Sequence, residues 1–307
     1  MSEPWINPSV EENTENYSSG LLDATFARRT FLKRALGGVA GTIAASGAGW
    51  GYARLIEPRW LELARVSLPL PRLSPTFHGY RLVQLSDLHL GDWLQTAQLH
   101  DLILFINQQQ PDLIAITGDF VTDDPALVAD DLLTLLKLLK ARDGVIAVLG
   151  NHDHCTDPAL IRQVLQRSGI VELRNNSMTI ERRGEPLCLA GVDDISVHAD
   201  DLEHVLKRLP GSGAAILLAH EPDFADVSAA SGRFDLQISG HSHGGQVVFP
   251  FLGPLRLPPY GRKYPMGRYQ VGSMLLYTNR GVGMVAPHYR FNCRPEITLF
   301  SLEASQA

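Results

Sequence analysis

The sequence predicts an α/β fold, because short apolar runs rich in β-branched residues alternate with stretches of helical periodicity. Between residues 81 and 154, strand-like runs at 81–89, 111–120 and 144–154 enclose helical stretches at 96–110 and 125–143. This β-α-β-α-β order implies parallel strands joined by crossover helices. A content of 45% hydrophobic and 20% charged residues is also typical of a globular protein.

The alternation of helices and strands continues beyond residue 155. The predicted elements there are a helix over 158–169, a hairpin over 176–192, a helix over 199–210, strands over 214–223 and 234–245, and an edge strand over 296–303. No internal repeat of the solenoid type interrupts the pattern. We therefore expect one large domain, over residues 77–307.

The residues before this domain divide into three predicted segments. Residues 1–27 carry five acidic and no basic side chains and are predicted to be a disordered acidic leader. Residues 28–53 form a separate segment that is basic at its start and uncharged from residue 35 onward. Residues 54–76 are rich in proline and are predicted to be a linker or a first edge strand.

Residues 28–53 resemble a twin-arginine export signal. They begin with R-R-x-F-L-K and continue with 19 uncharged residues, 35–53, of which six are glycine. Ala27 stands where serine or threonine is common, and no clear small-residue cleavage site follows. Cleavage and retention as a membrane anchor through residues 35–53 both stay open, as does an ordinary amphipathic helix.

The charge distribution limits the classes of partner. A formal net charge of −6 disfavours a dedicated nucleic-acid binder, which usually carries a basic face. From residue 236 onward, however, seven basic residues face only two acidic ones. This basic C-terminal third fits an anionic substrate as well as an ordinary solvated surface. Three cysteines without C-x-x-C spacing imply neither a disulfide framework nor a cysteine-rich zinc module.

Polar side chains of a metal-binding type follow five predicted strands. They are Asp87 and His89, Asp119, Asn151 with His152, His220, and His241 with His243. In open α/β sheets, ligands bind at the carboxyl ends of the strands. Taken singly, Asp119 could be a helix N-cap and His220 an ordinary buried histidine, whereas the paired histidines on a glycine-flanked turn indicate metal ligation. Together the five groups favour a metal site at one edge of the sheet.

The order D-x-H, G-D, G-N-H-D, H, G-H-x-H over residues 80–303 resembles the calcineurin-like metallophosphoesterase family. "YTNRGVG" (277–283) and "FNCRPEITLF" (291–300), with the export signal, are most similar to its exported bacterial branch of the YaeI/YkuE type. The resemblance implies a two-sheet β-sandwich flanked by helices, with a metal site at the C-terminal ends of the strands. Thr122 departs from the Asp or Asn often found at this non-ligand position.

The same resemblance implies a set of ligands for two divalent metal ions. Asp119 would bridge the ions. The other implied ligands are Asp87, His89 and His243 for the first ion and Asn151, His220 and His241 for the second. Nitrogen and oxygen ligands without thiolate suit Mn, Fe or Zn, with Mg less favoured.

Further roles are implied for the residues beside Asn151. His152 would face the substrate phosphate and either protonate the leaving oxygen or stabilise the charge of the transition state. Asp153 would hold the His152 imidazole in position. His154 receives no role from the resemblance and is expected to be a loop or substrate-contact residue.

Basic residues of the C-terminal third are candidate contacts for an anionic substrate. They are Arg280, Arg262, Lys263 and Arg268. The aromatic and proline-rich loop 249–269 is either an ordinary surface loop or one that lies on a membrane surface.

These features favour a phosphodiesterase that hydrolyses an envelope-associated phosphoester by attack of a hydroxide bridging two metal ions. Export by the twin-arginine machinery would place it in the periplasm or on the outer face of the inner membrane. A UDP-2,3-diacylglucosamine-type glycolipid pyrophosphatase and a non-catalytic protein that binds metal or lipid headgroups are the alternatives. A metallo-β-lactamase-type hydrolase is disfavoured, because Thr156 and Asp157 replace the Asp and His of its H-x-H-x-D-H pattern.

Overall fold

The computed structural model describes residues 30–39 and 46–304 and divides the chain between Gly51 and Tyr52 into two units. In the N-terminal unit, residues 30–39 and 46–51 are helical. Among the described residues, no helix has both the length and the apolar character needed to cross a membrane. The predicted leader and the two arginines of the export signal lie outside the described residues.

The first sheet of the C-terminal unit has six strands. In chain order they are β1 (Glu62–Leu70), β2 (Tyr80–Leu85), β3 (Leu113–Thr117), β4 (Val145–Val148), β5 (Val171–Glu172) and β14 (Glu296–Ala304). The order across the sheet is β1-β14-β2-β3-β4-β5. β2 to β5 run parallel, as the alternation with helices predicts, and β14 is antiparallel to β2.

The second sheet also has six strands, and a two-stranded hairpin stands apart from it. The strands are β6 (Asn176–Arg182), β7 (Glu185–Gly191), β8 (Ala214–Leu218), β9 (Leu236–Ser239), β12 (Gly267–Val271) and β13 (Met274–Thr278), and the hairpin joins β10 (Val248–Phe249) to β11 (Gly253–Pro254). The order across the sheet is β12-β13-β9-β8-β7-β6. β7, β8, β9 and β13 are parallel in this sheet.

Six α-helices connect the strands of the C-terminal unit. They are α1 (Thr96–Gln108), α2 (Ala129–Leu136), α3 (Asn151–Cys155), α4 (Pro158–Ser168), α5 (Leu202–Arg208) and α6 (Ala225–Ala230). The limits of α4 follow from its sequence, since Asp157 accepts from the Leu160 N–H at 3.0 Å and Gly169 ends it at φ 77°.

The strands place apolar side chains on both faces of each sheet. In β2, Leu82 belongs to the core between the sheets, whereas Val83 packs in the cluster that includes α1, α2 and α4. A third cluster joins the outer face of the second sheet to α5 and α6, for example through Leu217 and Val205. The result is a two-sheet sandwich flanked by helices, which confirms the predicted fold.

The structure differs from the predicted elements at three places. β14 is predicted at an edge but lies between β1 and β2, and β1 at 62–70 is the edge strand. The helix predicted over 125–143 is a short 3₁₀ turn at Pro125–Leu127 followed by α2. Asn151 and His152 lie in the first turn of the short helix α3. β1 lies before residue 77, where the domain is predicted to begin. It nevertheless belongs to the first sheet, because it pairs along its whole length with β14.

Candidate metal centre

The candidate ligands sit on sharp turns that leave the C-terminal ends of the strands. Five of them have left-handed backbone conformations, namely Asp87 (φ 52°), His89 (φ 48°), Asp119 (φ 57°), His241 (φ 67°) and His243 (φ 50°). Residues other than glycine rarely adopt positive φ, and such strain concentrates at functional sites. The turns interrupt the regular backbone path and direct these side chains toward one point.

The first cluster combines the ends of β2 and β9. Nε2 of His243 lies 3.4 Å from Oδ1 of Asp87 and 3.1 Å from Nε2 of His89. All three side chains are buried, and one ligand atom from each lies within 4.8 Å of the others. The Asp87 carboxylate also accepts from the backbone N–H of His241 at 3.0 Å, which joins the two turns.

The second cluster combines the ends of β3, β4, β8 and β9. Asp119, His220 and His241 also place ligand atoms within 4.8 Å of one another. Oδ2 of Asp119 lies 3.2 Å from Nε2 of His220 and 3.7 Å from Nε2 of His89, so this carboxylate stands between the two clusters. Oδ1 of Asn151 lies 2.8 Å from Nδ1 of His241.

Hydrogen bonds on the far sides of two imidazoles determine which nitrogen faces the site. Nδ1 of His220 lies 2.6 Å from the carbonyl oxygen of Thr117, and Nε2 of His241 lies 2.8 Å from that of Pro259. A carbonyl can only accept, so these nitrogens donate, and in the neutral form of each ring the opposite nitrogen points its lone pair inward. Such outer hydrogen bonds are typical of metal-ligating histidines.

The inward-facing atoms fit a divalent cation. Nδ1 of His241 then faces Oδ1 of Asn151, which sets two acceptors against each other at 2.8 Å. Nε2 of His220 is buried without a hydrogen-bond partner. A cation between Asn151 and His241 would turn their unfavourable contact into coordination bonds, and a cation beside His220 would give Nε2 a partner. The donor set of imidazole, carboxylate and amide oxygen suits Mn, Fe or Zn.

Burial and mutual charges set the protonation of the cluster. Burial lowers the pKa of His89 to about 3 and that of His241 to about 4, so both rings are neutral near pH 7. Burial would raise the pKa of Asp119, but the charge of His220 more than offsets this and holds it well below its usual range. Burial would lower the pKa of His220, but Asp119 in turn raises it well above its usual range, so a metal ion that binds His220 would release its proton. Neutral imidazole and ionised carboxylate are the forms that bind metals.

His152 stands at the rim of the clusters, and Asp153 stands beneath them. The His152 ring lies edge-on to that of His89, with centroids 4.9 Å apart, and its backbone N–H donates to Oδ1 of Asp119 at 2.9 Å. It is less buried than the aspartate and histidine ligands. An imidazole at this rim can reach a group bound beside the metal ligands.

The predicted role of Asp153 as a partner of the His152 imidazole is wrong. Its buried carboxylate accepts from the backbone N–H groups of Asp119 and Phe120 at 2.9 Å and of Gly150 at 3.0 Å. Adjacent residues of a helix point in different directions, so Asp153 cannot face the same side as His152. It holds together the two turns that carry Asp119 and Asn151.

Two of the predicted anion-binding side chains, those of Arg280 and Lys263, pair with carboxylates of the protein. The guanidinium of Arg280 contacts Glu62 at 3.2 Å and also pairs with Glu296. The ammonium group of Lys263 lies 2.7 Å from Asp226. The positive charges of Arg280 and Lys263 are therefore paired with carboxylates other than those of the candidate metal ligands. Arg262 is exposed, and its backbone N–H donates to Asp223 at 3.1 Å.

The structure also reveals supporting residues that the sequence did not indicate. Oγ1 of Thr122 lies 2.7 Å from Nδ1 of His89, which orients this ring from outside the cluster. The fully buried Arg290 donates to the carbonyls of Gly281 and Gly283. His154 pairs with Asp193 at 2.7 Å, which gives it a structural contact. The comparison with the family pattern drew attention to Thr122 but did not predict its contact with His89.

With this geometry in place, comparison with known proteins identifies the family. A family model for calcineurin-like phosphoesterases (Metallophos) matches residues 80–245. The chain belongs to the calcineurin-like phosphoesterase family. The predicted family is thereby confirmed, and the protein is a metallophosphoesterase.

Individual relatives of this metallophosphoesterase cover nearly its whole length. It is 38% identical to the metallophosphoesterase YkuE of Bacillus subtilis over 283 residues, which are 91% of this chain and 98% of that protein. It is 32% identical to the phosphodiesterase YaeI of Escherichia coli over 282 residues, 90% and 99% of the two chains. The UDP-2,3-diacylglucosamine pyrophosphatase LpxG of Chlamydia trachomatis is 27% identical over 310 residues, 81% of this chain and 92% of that protein.

Proposed function

We propose that this metallophosphoesterase hydrolyses phosphodiesters with two divalent metal ions. The position of Asp119 between the two ligand clusters is the observation that carries the proposal, since one carboxylate faces His220 on one side and His89 on the other. The remaining ligands would be Asp87, His89 and His243 for the first ion and Asn151, His220 and His241 for the second. When bound, such a pair of ions activates water at neutral pH and neutralises phosphoryl charge.

The residues of the chain complete this chemistry. His152 lies close enough to the ligands to donate a proton to the leaving oxygen of the substrate, and its backbone N–H holds the Asp119 carboxylate at 2.9 Å. Burial of the ligands excludes bulk water, which strengthens every charge interaction around the phosphoryl group. The similarity to the phosphodiesterase YaeI supports diesters as the preferred class.

The test compares two chromogenic substrates on the full chain. The protein is stripped of metal, and Mn, Zn, Fe or Mg is added back in turn with bis(p-nitrophenyl) phosphate or p-nitrophenyl phosphate. We expect metal-dependent turnover, faster on the diester, that is lost in Asp119→Ala and His152→Ala. Faster turnover of the monoester would overturn the diester preference, and full activity without Asp119 would overturn the bridging role.

We also propose export by the twin-arginine route and an envelope-associated phosphoester as substrate. The R-R-x-F-L-K arrangement at residues 28–33 supports the route. The test replaces both arginines by lysine and measures the protein in periplasmic and cytoplasmic fractions. Accumulation of wild type outside the cytoplasm, with retention of the variant, is expected. Equal distribution of both would contradict the proposal.

A glycolipid pyrophosphatase is the second candidate function. The similarity to LpxG over 81% of this chain supports it, since the name of that protein gives a UDP-2,3-diacylglucosamine pyrophosphatase activity. Release of UMP from UDP-2,3-diacylglucosamine by the metal-loaded protein would favour this function over simple diesters. Its absence, beside turnover of bis(p-nitrophenyl) phosphate, would exclude it.

A further inference from the structure

Exposed apolar side chains concentrate on two segments of the C-terminal unit. In the hairpin β10–β11 and the residues after it, Phe251 is completely exposed, Leu252 is 85% exposed and Leu255 is 70% exposed. Near the start of the unit, Ile56 and Trp60 are both more than half exposed. We call residues 55–60 and 249–255 together the apolar rim.

Ring contacts place the two segments of the apolar rim on the same side of the unit. The Phe291 ring lies 5.9 Å from that of Phe249 and 6.4 Å from that of Tyr52, measured between centroids. The backbone N–H of Val248 also donates to the carbonyl of Phe291 at 2.9 Å. Phe291 therefore packs between the hairpin and the segment that precedes β1.

Arginines accompany the aromatic residues of this side. The guanidinium groups of Arg59 and Arg294 lie 5.2 Å and 4.9 Å from the ring centroids of Trp93 and Trp60. Arg256 is exposed directly beside Leu255. Aromatic rings with an apolar body, combined with arginines whose stems are apolar, suit the boundary between lipid and water.

Acidic charge is nearly absent from these segments. Residues 52–61, 246–260 and 284–295 contain a single acidic residue, Glu57. Its side chain turns inward, where only 1% of the residue is exposed and its carboxylate accepts from the backbone N–H of Asn292 at 2.9 Å. Arg294 pairs with Glu62 at 2.8 Å, next to these segments, whereas the exposed Arg256 has no carboxylate beside it in the sequence. The apolar rim itself is therefore apolar with a positive charge at Arg256 and Arg59, which complements anionic lipid headgroups.

A cavity opens from the same segment. Pro58 and Arg59 line a space of about 310 Å³, whose other walls include Leu61, Leu102 and Phe105. Gln98 and Asp101 are the other polar residues of its lining beside Arg59. This volume is at the lower end of the range for small-molecule sites, and its mainly apolar walls suit a hydrocarbon chain. An aliphatic group that leaves a bilayer at the apolar rim would find a place to enter here.

The apolar rim is connected to the candidate metal centre through the chain. The turn His243–Gly245 leads within three residues into β10, and the loop that follows β11 supplies the Pro259 carbonyl that fixes His241. The packing is tight, because a Cβ at Gly245 would overlap Pro254. Docking of the hairpin on a surface would therefore hold the ligand turn close to that surface.

We infer that the apolar rim binds the surface of an anionic phospholipid bilayer, with Phe251 and Leu252 at the headgroup–acyl boundary. Highly exposed apolar side chains on a narrow hairpin suit insertion into a deformable lipid phase. A second copy would bring its own arginines against those of the first, and their like charges would repel. The inference goes beyond the proposed function and does not depend on it, since it concerns binding and not turnover.

The experiment places an environment-sensitive fluorophore at position 252 of the full chain. Cys155 is the exposed free cysteine, whereas Cys188 and Cys293 are buried, so Cys155→Ser provides the background for Leu252→Cys. Val171→Cys in the same background is the control, since Val171 is a 47% exposed apolar residue on β5, at the edge of the first sheet opposite β1. Vesicles contain either equal parts phosphatidylglycerol and phosphatidylcholine or phosphatidylcholine alone.

Vesicles with phosphatidylglycerol should shift the emission at position 252 to the blue, and lipids with a quencher on the acyl chain should reduce it. The label at position 171 should not change. Binding through residues 35–51 alone would leave position 252 unshifted and would overturn the inference. A shift without vesicles that grows with protein concentration would indicate a second copy instead, and equal shifts on both vesicle types would refute the role of anionic lipid.

Discussion

At the scale of single residues, the site is shaped by groups outside the set of candidate ligands. The carbonyls of Thr117 and Pro259 and the hydroxyl of Thr122 each contact the outer nitrogen of a candidate ligand histidine. These contacts decide which nitrogen is free to bind metal. Asp153 acts in the same indirect way, on the backbone of the turns.

Thr122 is expected to influence metal affinity through His89. Thr122→Val keeps the shape of the side chain but removes the hydroxyl that lies 2.7 Å from Nδ1 of His89. We expect metal affinity to fall by about 10–100-fold, the usual effect of losing such a partner. Competition titration with a chelating indicator measures it, and Thr122→Ser should restore most of the affinity. Wild-type affinity in the valine variant would show that the hydroxyl is dispensable.

Asp153 is expected to stabilise the fold. Asp153→Asn would set an amide NH₂ or a single oxygen against the backbone N–H groups of Asp119, Phe120 and Gly150, leaving a buried donor unpaired. We expect the free energy of unfolding to fall by about 1–3 kcal/mol, measured by urea denaturation. Asp157→Asn, at the exposed N-cap of α4, is the control. A loss of turnover with unchanged stability would restore the role of Asp153 as a partner of His152.

At the scale of elements, the turns after the strands carry the site, and close backbone approach makes them possible. Gly150 and Gly240 precede ligand turns, and a Cβ at Gly150 would overlap Asp119. The G-N-H-D and G-H-x-H patterns therefore have a steric reason for their glycines in addition to their ligands. The bends bring side chains from both sheets to one place.

Replacement of Gly240 is expected to displace the ligands that it touches. The Cβ of Gly240→Ala would overlap Oγ of Ser86 and the carboxylate of Asp87. We expect a loss of about 1–3 kcal/mol in the free energy of unfolding, as for other overpacked sites, together with weaker metal binding. Gly211→Ala is a matched control, because its Cβ would meet nothing within 4 Å. Equal stability of the two variants would contradict this steric account.

At the scale of the whole molecule, the candidate ligands join the two sheets. Asp87, Asp119 and Asn151 follow strands of the first sheet, whereas His220 and His241 follow strands of the second. Because both sheets supply ligands to each cluster, metal binding requires the folded sandwich.

Metal ions are therefore expected to stabilise the fold. Addition of Mn or Zn at about 100 times its dissociation constant should raise the free energy of unfolding by about 2.7 kcal/mol per site. Thermal and urea denaturation with and without a chelator measure this gain. His152→Ala should retain the gain and lose turnover, whereas Asp119→Ala should lose both. A gain that disappears in His152→Ala would make His152 a ligand.

A pH-dependent link joins α3 to the segment after β7. The hydrogen bond to Asp193 raises the pKa of His154, and the pKa of Asp193 is lowered because His154 and other partners outweigh its burial. The stability contributed by His154 is complete below the unfolded pKa of about 6.5 and is lost as the pH rises above the raised pKa. The stability contributed by Asp193 is complete above the unfolded pKa of about 4 and is lost as the pH falls below it.

The contribution of this link is therefore greatest between about pH 4 and 6.5. Urea denaturation over this range and up to pH 9 should show that wild type exceeds His154→Gln by a margin that shrinks as the pH rises. His204→Gln, in the exposed part of α5, is the control, and a margin independent of pH would argue against the ion pair.

The sequence by itself determined the family, the parallel alternation of strands and helices, and which polar side chains end the strands. These features depend on local periodicity and motif order, which a chain carries without its tertiary contacts. Only the tertiary structure decided the place of β14 between two strands, the contacts of Asp153 and Thr122, and the pairing of Arg280 with Glu62 and Glu296. These depend on partners distant in sequence, and a side chain's type does not reveal which partner it meets.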